Sequence, residues 1–198
     1  MLEPLGVAIH AVDLAHLRPA HTVAVLGAGP IGLLIAAVAK ASGAGEIYMT
    51  EPLAYRREFA LDYVADAVLN PDDTDVVAGI MRLTGGRGVD VCVELSGSVP
   101  GTRLAFDLIR VGGRISLVGL TGAPVSLNTS DDIIYKEATV IGTTGRLMWD
   151  TWWQMDRLLA SGRFDPREVI THRFGLEDHA EAFELAHSGK AGKIILKP

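Results

Sequence analysis

The stretch Gly27-Ala28-Gly29-Pro30-Ile31-Gly32 decides the fold of this 198-residue chain. It follows an apolar run at residues 22–26 and opens a helix-like stretch at residues 30–41. Glu51 ends the next apolar run, nineteen residues after Gly32. A strand, a glycine-rich turn, a helix, a second strand and an acid in this order are typical of a dinucleotide-binding βαβ unit.

Each glycine of this stretch has a physical reason. Gly27 permits the tight turn, Gly29 lets the backbone approach a pyrophosphate, and Gly32 lets the helix pack close to the strand. The first amides of the helix, around Pro30, and the helix dipole favour an anion there. The carboxylate of Glu51 is placed to accept hydrogen bonds from a ribose diol and to repel a 2'-phosphate, which favours NAD over NADP. The alternative is a tight strand-to-helix turn that binds nothing.

Composition narrows the class of protein. A hydrophobic fraction of 48% and a net charge of −6 indicate a soluble globular protein without general affinity for nucleic acid or anionic membranes. No apolar run reaches the roughly 18 residues that span a bilayer, and the first residues carry no signal-peptide pattern. We therefore expect a cytoplasmic protein with no nucleic-acid or membrane partner. The single cysteine, Cys92, lies in an apolar run and is expected to be a small core residue.

Strand-like and helix-like segments alternate as far as Thr144, which is the signature of a doubly wound parallel sheet. We predict an α/β fold, a Rossmann fold with a six-stranded parallel sheet. The predicted strands are 22–26, 46–50, 67–69, 89–95, 114–119 and 138–143. The predicted helices are 4–17, 30–41, 53–63, 75–83 and 100–109.

The pattern changes from Met148 onward. Met148, Trp152, Met155 and Leu159 recur at helical spacing before Gly162, so we predict one more helix, which holds all three tryptophans. Residues 163–198 are too few to form a core of their own. We therefore predict a dinucleotide-binding domain at 1–162 and a C-terminal tail at 163–198, with a helix at 176–187 and a closing strand at 193–196.

These features together resemble the zinc-dependent medium-chain dehydrogenase/reductase superfamily, which includes the alcohol dehydrogenases. The resemblance covers essentially the whole chain, and it is closest to the L-threonine 3-dehydrogenases of that superfamily. The motifs that carry it are Glu3-Pro4-Leu5, the glycine stretch, Glu51-Pro52 with Tyr55-Arg56-Arg57, Thr84 to Val91, Gly112-Gly113-Arg114, Val118-Gly119-Leu120, Thr144-Gly145-Arg146 with Trp149-Asp150-Thr151-Trp152, Ile170 to Phe174, and Gly189 to Lys193.

The resemblance implies a role for each matching position. Gly27, Gly29, Pro30, Ile31 and Gly32 would cradle the pyrophosphate of NAD, with a backbone contact from Ile31. Glu51 and Arg56 would hold the adenosine ribose. The nicotinamide end would be formed by Val118, Gly119, Leu120, Thr143, Thr144 and Arg146. Some of these roles have an alternative. Val118 and Leu120 could be simple strand-end residues, and Arg146 could be a charge at the start of a helix that binds no ligand.

Glu3 stands where the superfamily has an acid beside its catalytic zinc, so the resemblance implies a role in zinc exchange or proton movement. From the residues alone it is a candidate helix cap, and both readings are compatible. The superfamily's zinc ligands lie in an N-terminal domain that has no counterpart in these 198 residues. A catalytic zinc needs three protein ligands. One cysteine and six scattered histidines do not supply them, so we expect no metal ligands here.

The implied function is the cofactor-binding portion of a zinc-type dehydrogenase that transfers hydride from a small secondary alcohol to NAD. The resemblance further implies that the C-terminal tail completes the missing catalytic domain, and that the chain forms a homo-oligomer through its sixth strand. Two alternatives remain: a stand-alone NAD-binding module without catalysis, and a polyol or diol dehydrogenase. Val64 departs from the superfamily's usual glycine, so we expect its helix to end without a left-handed residue.

Overall fold

The computed structural model describes residues 1–198 and contains eight strands and seven α-helices. The strands are β1 (Thr22–Leu26), β2 (Glu46–Thr50), β3 (Ala67–Leu69), β4 (Val89–Glu94), β5 (Ile109–Leu117), β6 (Thr139–Gly142), β7 (Ile170–Gly175) and β8 (Lys193–Lys197). The helices are α1 (Leu2–Leu14), α2 (Pro30–Ala41), α3 (Ala54–Tyr63), α4 (Val76–Leu83), α5 (Val99–Leu108), α6 (Asp150–Ala160) and α7 (His179–His187). None of these helices combines the length and the apolar character that crossing a bilayer requires.

The first six strands form one parallel sheet in the order β3-β2-β1-β4-β5-β6. This is the strand order of a doubly wound dinucleotide-binding fold, so the predicted fold class is confirmed. The carboxyl ends of β1 and β4 lie side by side at the centre, with Leu26 in register with Glu94. The strand order reverses between these two strands, which is where such sheets bind ligands.

Successive residues of a strand point to opposite faces, and the two faces of the sheet have separate cores. In β1, Val23 and Val25 pack with α1, α2 and Met155 of α6, whereas Ala24 and Leu26 pack with α4 and α5. Both cores are closed to water: Leu34 on one side and Phe106 on the other are at most 1% exposed. The central strands are therefore apolar on both faces, as their near-continuous hydrophobic runs predicted.

Several element boundaries differ from the predicted ones. Helix α1 begins at Leu2, because the amide of Leu5 already donates to the carbonyl of Met1 at 3.1 Å. Strand β5 begins at Ile109, directly after α5, with an irregular register against β4 between Val89 and Val91. The helix before Val64 ends without a left-handed residue, as expected, since Val64 has a φ of −154°.

The tryptophan-rich helix is also shorter than predicted. Trp149 directly precedes α6 and is not part of the helix; its φ is 75°. Gly162 follows the helix with a φ of 66°, which a residue without a Cβ adopts readily.

The C-terminal tail packs partly on the rest of the chain. Strands β7 and β8 pair in parallel as a separate two-stranded sheet. Val169 is fully buried in the core that contains α1 and α2, and Ala191 is also buried. Gly189 lies so close to Leu53 that a Cβ on it would come within 2.2 Å of a Leu53 methyl carbon. Phe183, by contrast, is 58% exposed.

Cys92 lies in the middle of the sheet and is fully buried, as the sequence predicted. It is the only cysteine of the chain. Burial raises the pKa of its thiol far above the ordinary value. The residue is therefore a small core side chain and not a reactive thiol.

Asp90 ties three strands together at the amino edge of the sheet. One carboxylate oxygen accepts from the amide and hydroxyl of Thr22 in β1, at 2.8 and 2.9 Å. The other accepts from Nε of Arg110 in β5 at 2.6 Å. Burial opposes the charge of Asp90, but the hydrogen bonds from Thr22 and Arg110 outweigh it and hold the pKa of Asp90 below its usual value.

We expect Asp90→Asn to destabilise the fold by about 1.5–3 kcal/mol at neutral pH, the range for hydrogen bonds to a charged group. Because the folded-state pKa of Asp90 is lowered, its stabilising effect is present above the unfolded pKa of about 3.9 and is lost as the pH falls through the folded value. Urea unfolding at pH 7 and at pH 3 measures both effects. The difference between wild type and variant should shrink in acid, while the exposed Asp62→Asn control should match wild type. A gap of the same size at both pH values would contradict the assignment.

Candidate functional site

A cleft of about 880 Å³ opens at the carboxyl edge of the sheet, where β1, β2, β4 and β5 end. We call it the carboxyl-edge cleft. Nine of the thirteen residues expected to contact a cofactor line it: Gly27, Gly29, Pro30, Ile31, Gly32, Glu51, Arg56, Val118 and Gly119. The volume suits a ligand larger than a typical metabolite, since small-molecule pockets span about 300–1,000 Å³.

The glycine turn forms the floor of the cleft and leaves backbone donors free. Gly27 has a φ of 114°, and its amide donates to the carbonyl of Thr50 at 2.9 Å, which fixes the turn to the end of β2. The first amide used inside α2 is that of Leu33, which donates to the carbonyl of Gly29. The amides of Gly29, Ile31 and Gly32 have no acceptor in the protein. Three free N–H groups at a helix N-terminus form a binding site for an anion.

Position 32 requires glycine because a side chain would not fit there, and not because of its backbone conformation. A Cβ at this position would lie 2.0 Å from the carbonyl oxygen of Gly27, well inside van der Waals contact. The absence of a side chain therefore lets α2 pack directly on the turn, as the glycine spacing predicted.

Glu51 is only 4% exposed and links the glycine turn to the start of α3. Its Oε2 accepts from the amide of Ala28 at 3.0 Å, and its Oε1 accepts from the amide of Leu53 at 3.1 Å. A carboxylate has about four lone-pair sites, so each oxygen can still accept a further hydrogen bond from the cleft. The acid at the end of β2 thus has a structural role that the sequence did not reveal, in addition to its place beside the cleft.

The two neighbouring arginines have different environments. Arg57 donates through Nη1 to the carbonyls of Glu51 and Pro52, at 3.0 and 2.5 Å, so its guanidinium is held by the backbone. Arg56 lines the cleft, and its Nε is buried without a hydrogen-bond partner. Arg56 is the only basic residue among those that line the cleft.

One end of the cleft is acidic, and two of its acids were not among the residues predicted from the sequence. Asp72 and Asp75, from the loop between β3 and α4, line the cleft together with Glu51. Asp75 also caps α4 by accepting from the amide of Ala78 at 3.0 Å. The rule that ligands bind at the carboxyl ends of strands could have pointed to this loop, but no motif marks it.

The other end of the cleft lies between β4 and β5. The amides of Val118 and Gly119 both donate to the carbonyl of Glu94 at 2.9 Å, so their backbone is fixed and their N–H groups are already used. Glu94 is fully buried, and its Oε1 accepts from Ser96 Oγ at 2.5 Å and from the amide of Gly97 at 3.1 Å. This hydrogen-bonded corner shapes the cleft wall, and the sequence analysis did not single it out.

Four of the expected cofactor residues lie outside the cleft lining. Leu120 is 92% exposed. Thr143 is buried, and its hydroxyl is paired with that of Ser116 at 2.8 Å. Thr144 is exposed on the loop that follows β6. Arg146, the fourth, has its side chain packed against α1.

Glu3 and Arg146 meet across the first helix. Arg146 Nη1 lies 3.0 Å from Glu3 Oε1. The side chain of Arg146 crosses α1 at Gly6, where an added Cβ would come within 2.7 Å of Arg146 Cδ. Glu3 is in the first turn of α1 and makes no capping hydrogen bond, so the cap reading is wrong. The N-cap is Met1.

No group of three or more histidine, cysteine, aspartate or glutamate side chains is arranged to hold a metal ion. The arrangement that the chain does possess is a cleft with three free amides, a buried acid and one arginine. These groups can bind an extended ligand that carries phosphates in its middle and a hydroxyl-rich ring at its acidic end.

Comparison with known proteins shows that the chain is similar to dehydrogenases. Residues 30–161 match the family model described as zinc-binding dehydrogenase. The chain is 44% identical over 194 residues to the L-threonine 3-dehydrogenase of Pyrococcus abyssi and 40% identical over 196 residues to that of Bacillus licheniformis. These alignments include 98% and 99% of this chain but only 56% of either relative, so the chain spans about half the length of these relatives.

Solved structures agree with this result. The 2R,3R-butanediol dehydrogenase of Bacillus subtilis superposes with a TM-score of 0.89 at 33% identity, covering 100% of this chain and 56% of that one. A zinc-binding dehydrogenase from Sinorhizobium meliloti, solved with NADP bound, gives a TM-score of 0.90 at 27% identity, covering 100% of this chain and 58% of that one.

Proposed function

The chain belongs to the zinc-binding dehydrogenase family, and from this premise we propose that it is the cofactor-binding part of a NAD-dependent alcohol dehydrogenase whose substrate is L-threonine. The observation that carries the proposal is the carboxyl-edge cleft, where three unpartnered amides lie beside the buried carboxylate of Glu51. The threonine assignment is supported by relatives of that name at 37–44% identity.

The residues of the cleft fit a dinucleotide. The free amides of Gly29, Ile31 and Gly32 would donate to the pyrophosphate, and the dipole of α2 would add positive potential. Glu51 would accept from the adenosine ribose hydroxyls with the lone pairs that Ala28 and Leu53 leave free. The buried, unpartnered Nε of Arg56 identifies it as the cation available to the same end of the ligand.

The nicotinamide would lie at the β5 end of the cleft. There the carbonyls of Val118 and Gly119 would hold the carboxamide, since their amides are already used by Glu94. When bound there, NAD would supply a hydride acceptor for the carbon that carries the alcohol hydroxyl, the hydroxyl proton would be released, and a secondary alcohol would become a ketone. Thr143, Thr144 and Arg146 lie beyond the lining, on the β6 side, where we propose that they face the nicotinamide ribose.

The family name implies zinc, but no step of the reaction is assigned to zinc through this chain, because its residues do not form a ligand set. Glu3, our proposed catalytic residue, is held by Arg146 at the start of α1 and is 60% exposed at its side chain. In this arrangement Glu3 would meet the substrate side of the protein and take part in proton movement.

We also propose the division into a NAD-binding domain at 1–162 and a C-terminal segment at 163–198, which is supported by the break at Gly162 and by the separate β7–β8 sheet. The free edge of β6 would pair with that of a second copy. Bare edges of this kind bind other strands unless they are covered.

A diol substrate is the second candidate, and the likeness to a 2R,3R-butanediol dehydrogenase favours it. Parallel assays of NADH formation with L-threonine and with 2R,3R-butanediol separate the two substrates. If NAD binds but neither alcohol yields NADH, these 198 residues bind the cofactor without catalysing the oxidation of either alcohol.

We predict that NAD binds at least about tenfold more tightly than NADP, a difference of about 1.4 kcal/mol. The 2'-phosphate of NADP would meet Glu51, Asp72 and Asp75, with Arg56 as the only cation. Isothermal titration of the purified chain with both cofactors measures the ratio. Equal affinities or a preference for NADP, the cofactor present in the Sinorhizobium structure, would overturn the assignment.

A further inference from the structure

Helix α6 buries one side and leaves the other without a partner. Thr151 and Met155 are 1% and 2% exposed and face the core, whereas Trp153 is 65% exposed. Residues three and seven positions apart share a helix face. Asp150, Trp153 and Arg157 therefore form a single row on the outer side of the helix, which we call the α6 seam.

No contact within the chain accounts for the two charges of the α6 seam. Asp150 and Arg157 are both exposed and occur in none of the six ion pairs of the structure. Apolar surface continues next to the seam, where Met148 is 57% exposed and Trp149 is 66% exposed. The seam does not line the carboxyl-edge cleft, so the proposed function does not use it.

The order of residues in the α6 seam is self-complementary. Asp150 and Arg157 are seven residues, or about 10 Å, apart along the helix axis, with Trp153 near the midpoint. In an antiparallel pair of α6 helices related by a two-fold axis at Trp153, Asp150 of each copy lies opposite Arg157 of the other. The two Trp153 rings then meet at the centre, and both charges of both copies are matched by symmetry.

We propose that the α6 seam is a self-association surface on which two copies of this chain pair, α6 against α6, in antiparallel orientation. A second copy is the partner that the charges favour, because an unrelated surface would have to supply an acid, an apolar centre and a base in reverse order. A central tryptophan within a rim of charges is the usual anatomy of a protein interface. The helix has only eleven residues, so the contact is small and we expect a weak, transient association.

Charge exchange tests this pairing. Sedimentation velocity over a micromolar concentration series would compare wild type with Asp150→Arg and Arg157→Asp. Each single variant places like charges opposite each other twice in a symmetric pair, so we expect its association to weaken about tenfold. An equimolar mixture of the two variants should associate as wild type does. When one copy of each variant pairs, position 150 of either copy faces position 157 of the other, and each of these two contacts joins an acid and a base. The double variant Asp150→Arg/Arg157→Asp should also recover association.

Two controls keep the result specific to α6. Asp62→Arg and Arg87→Asp reverse exposed, unpaired charges on other surfaces and should leave association unchanged. Val140→Lys places a charge on the free edge of β6, so that pairing through this strand is measured separately. Circular dichroism and NAD titration show whether each variant remains folded.

Several results would overturn the α6 pairing. A monomeric wild type throughout the series is one of them. Single reversals without effect are another. Failure of the mixed variants to associate while each remains folded is the third. NAD affinity is expected to be unchanged in every variant, so failure of this inference is distinguishable from failure of the proposed function.

Discussion

Replacing Gly32 with alanine is expected to destabilise the chain and to weaken the binding of NAD more than about hundredfold. The added Cβ would lie 2.0 Å from the carbonyl oxygen of Gly27, and that carbonyl cannot move freely because the Ala28 amide of the same peptide group donates to Glu51 Oε2 at 3.0 Å. Overpacking of this kind costs about 1–3 kcal/mol, and more where the neighbour is backbone. Displacement of α2 also removes its free amides from the anion. Loss of two such hydrogen bonds, at about 1.5 kcal/mol each, weakens binding more than about hundredfold.

The matched control for this substitution is Gly122→Ala. A Cβ at Gly122 would meet nothing within 4 Å, and the residue is not in a left-handed conformation. Thermal unfolding and isothermal titration compare both variants with wild type. Equal melting temperatures and equal NAD affinities for Gly32→Ala and Gly122→Ala would show that α2 is not packed closely against the Gly27 carbonyl.

Replacing Glu51 with alanine is expected to weaken NAD binding by about 1.5–3 kcal/mol, the range for a hydrogen bond to a charged group, and to lower stability as well. The stability loss arises because the amides of Ala28 and Leu53 lose their acceptor, at a cost of about 1–3 kcal/mol for each donor that stays buried. Loss of the negative charge should also bring the affinities for NAD and NADP closer together.

Glu51→Gln separates these two effects. The amide side chain keeps the shape and one acceptor oxygen, so it retains part of the turn while removing the charge that disfavours a 2'-phosphate. Titration with both cofactors and urea unfolding are the measurements, and Glu58→Ala, an exposed glutamate of α3, is the control. A Glu51→Ala variant with wild-type affinity for NAD would mean that this acid serves the fold alone.

The sheet could be predicted because its information is local. Each strand is a short apolar run, each crossover carries a helical pattern, and the glycine spacing fixes where β1 gives way to α2. The boundaries that were predicted incorrectly depend on contacts that a pattern does not contain. Helix α1 begins two residues early because the Leu5 amide donates to Met1, and it ends at Leu14 instead of the predicted Leu17. Strand β5 starts early because the chain passes from α5 into the sheet without a loop.

The site was predictable where one residue type has one physical reason. Gly32 had to be glycine, and an acid had to follow β2. The hydrogen bonds of Glu51, the acids Asp72 and Asp75, and the pairing of Glu3 with Arg146 depend on how distant segments meet. Asp72 and Glu51, for example, come together only because β3 pairs with β2. Sequence patterns identify the elements, whereas the walls of a cleft are set by the order in which those elements are laid side by side.

The position of Cys92 gives the protein a built-in reporter of its own opening. The thiol has no neighbour of its kind to complicate the chemistry, and β4 must separate from the sheet before a labelling reagent can reach it. The rate of thiol modification by an aromatic disulfide, measured without denaturant, therefore tracks transient unfolding of the central strands. A ligand held only by the native form slows that rate in proportion to its occupancy, so a dissociation constant can be obtained from reaction half-lives alone, with no substitution in the protein.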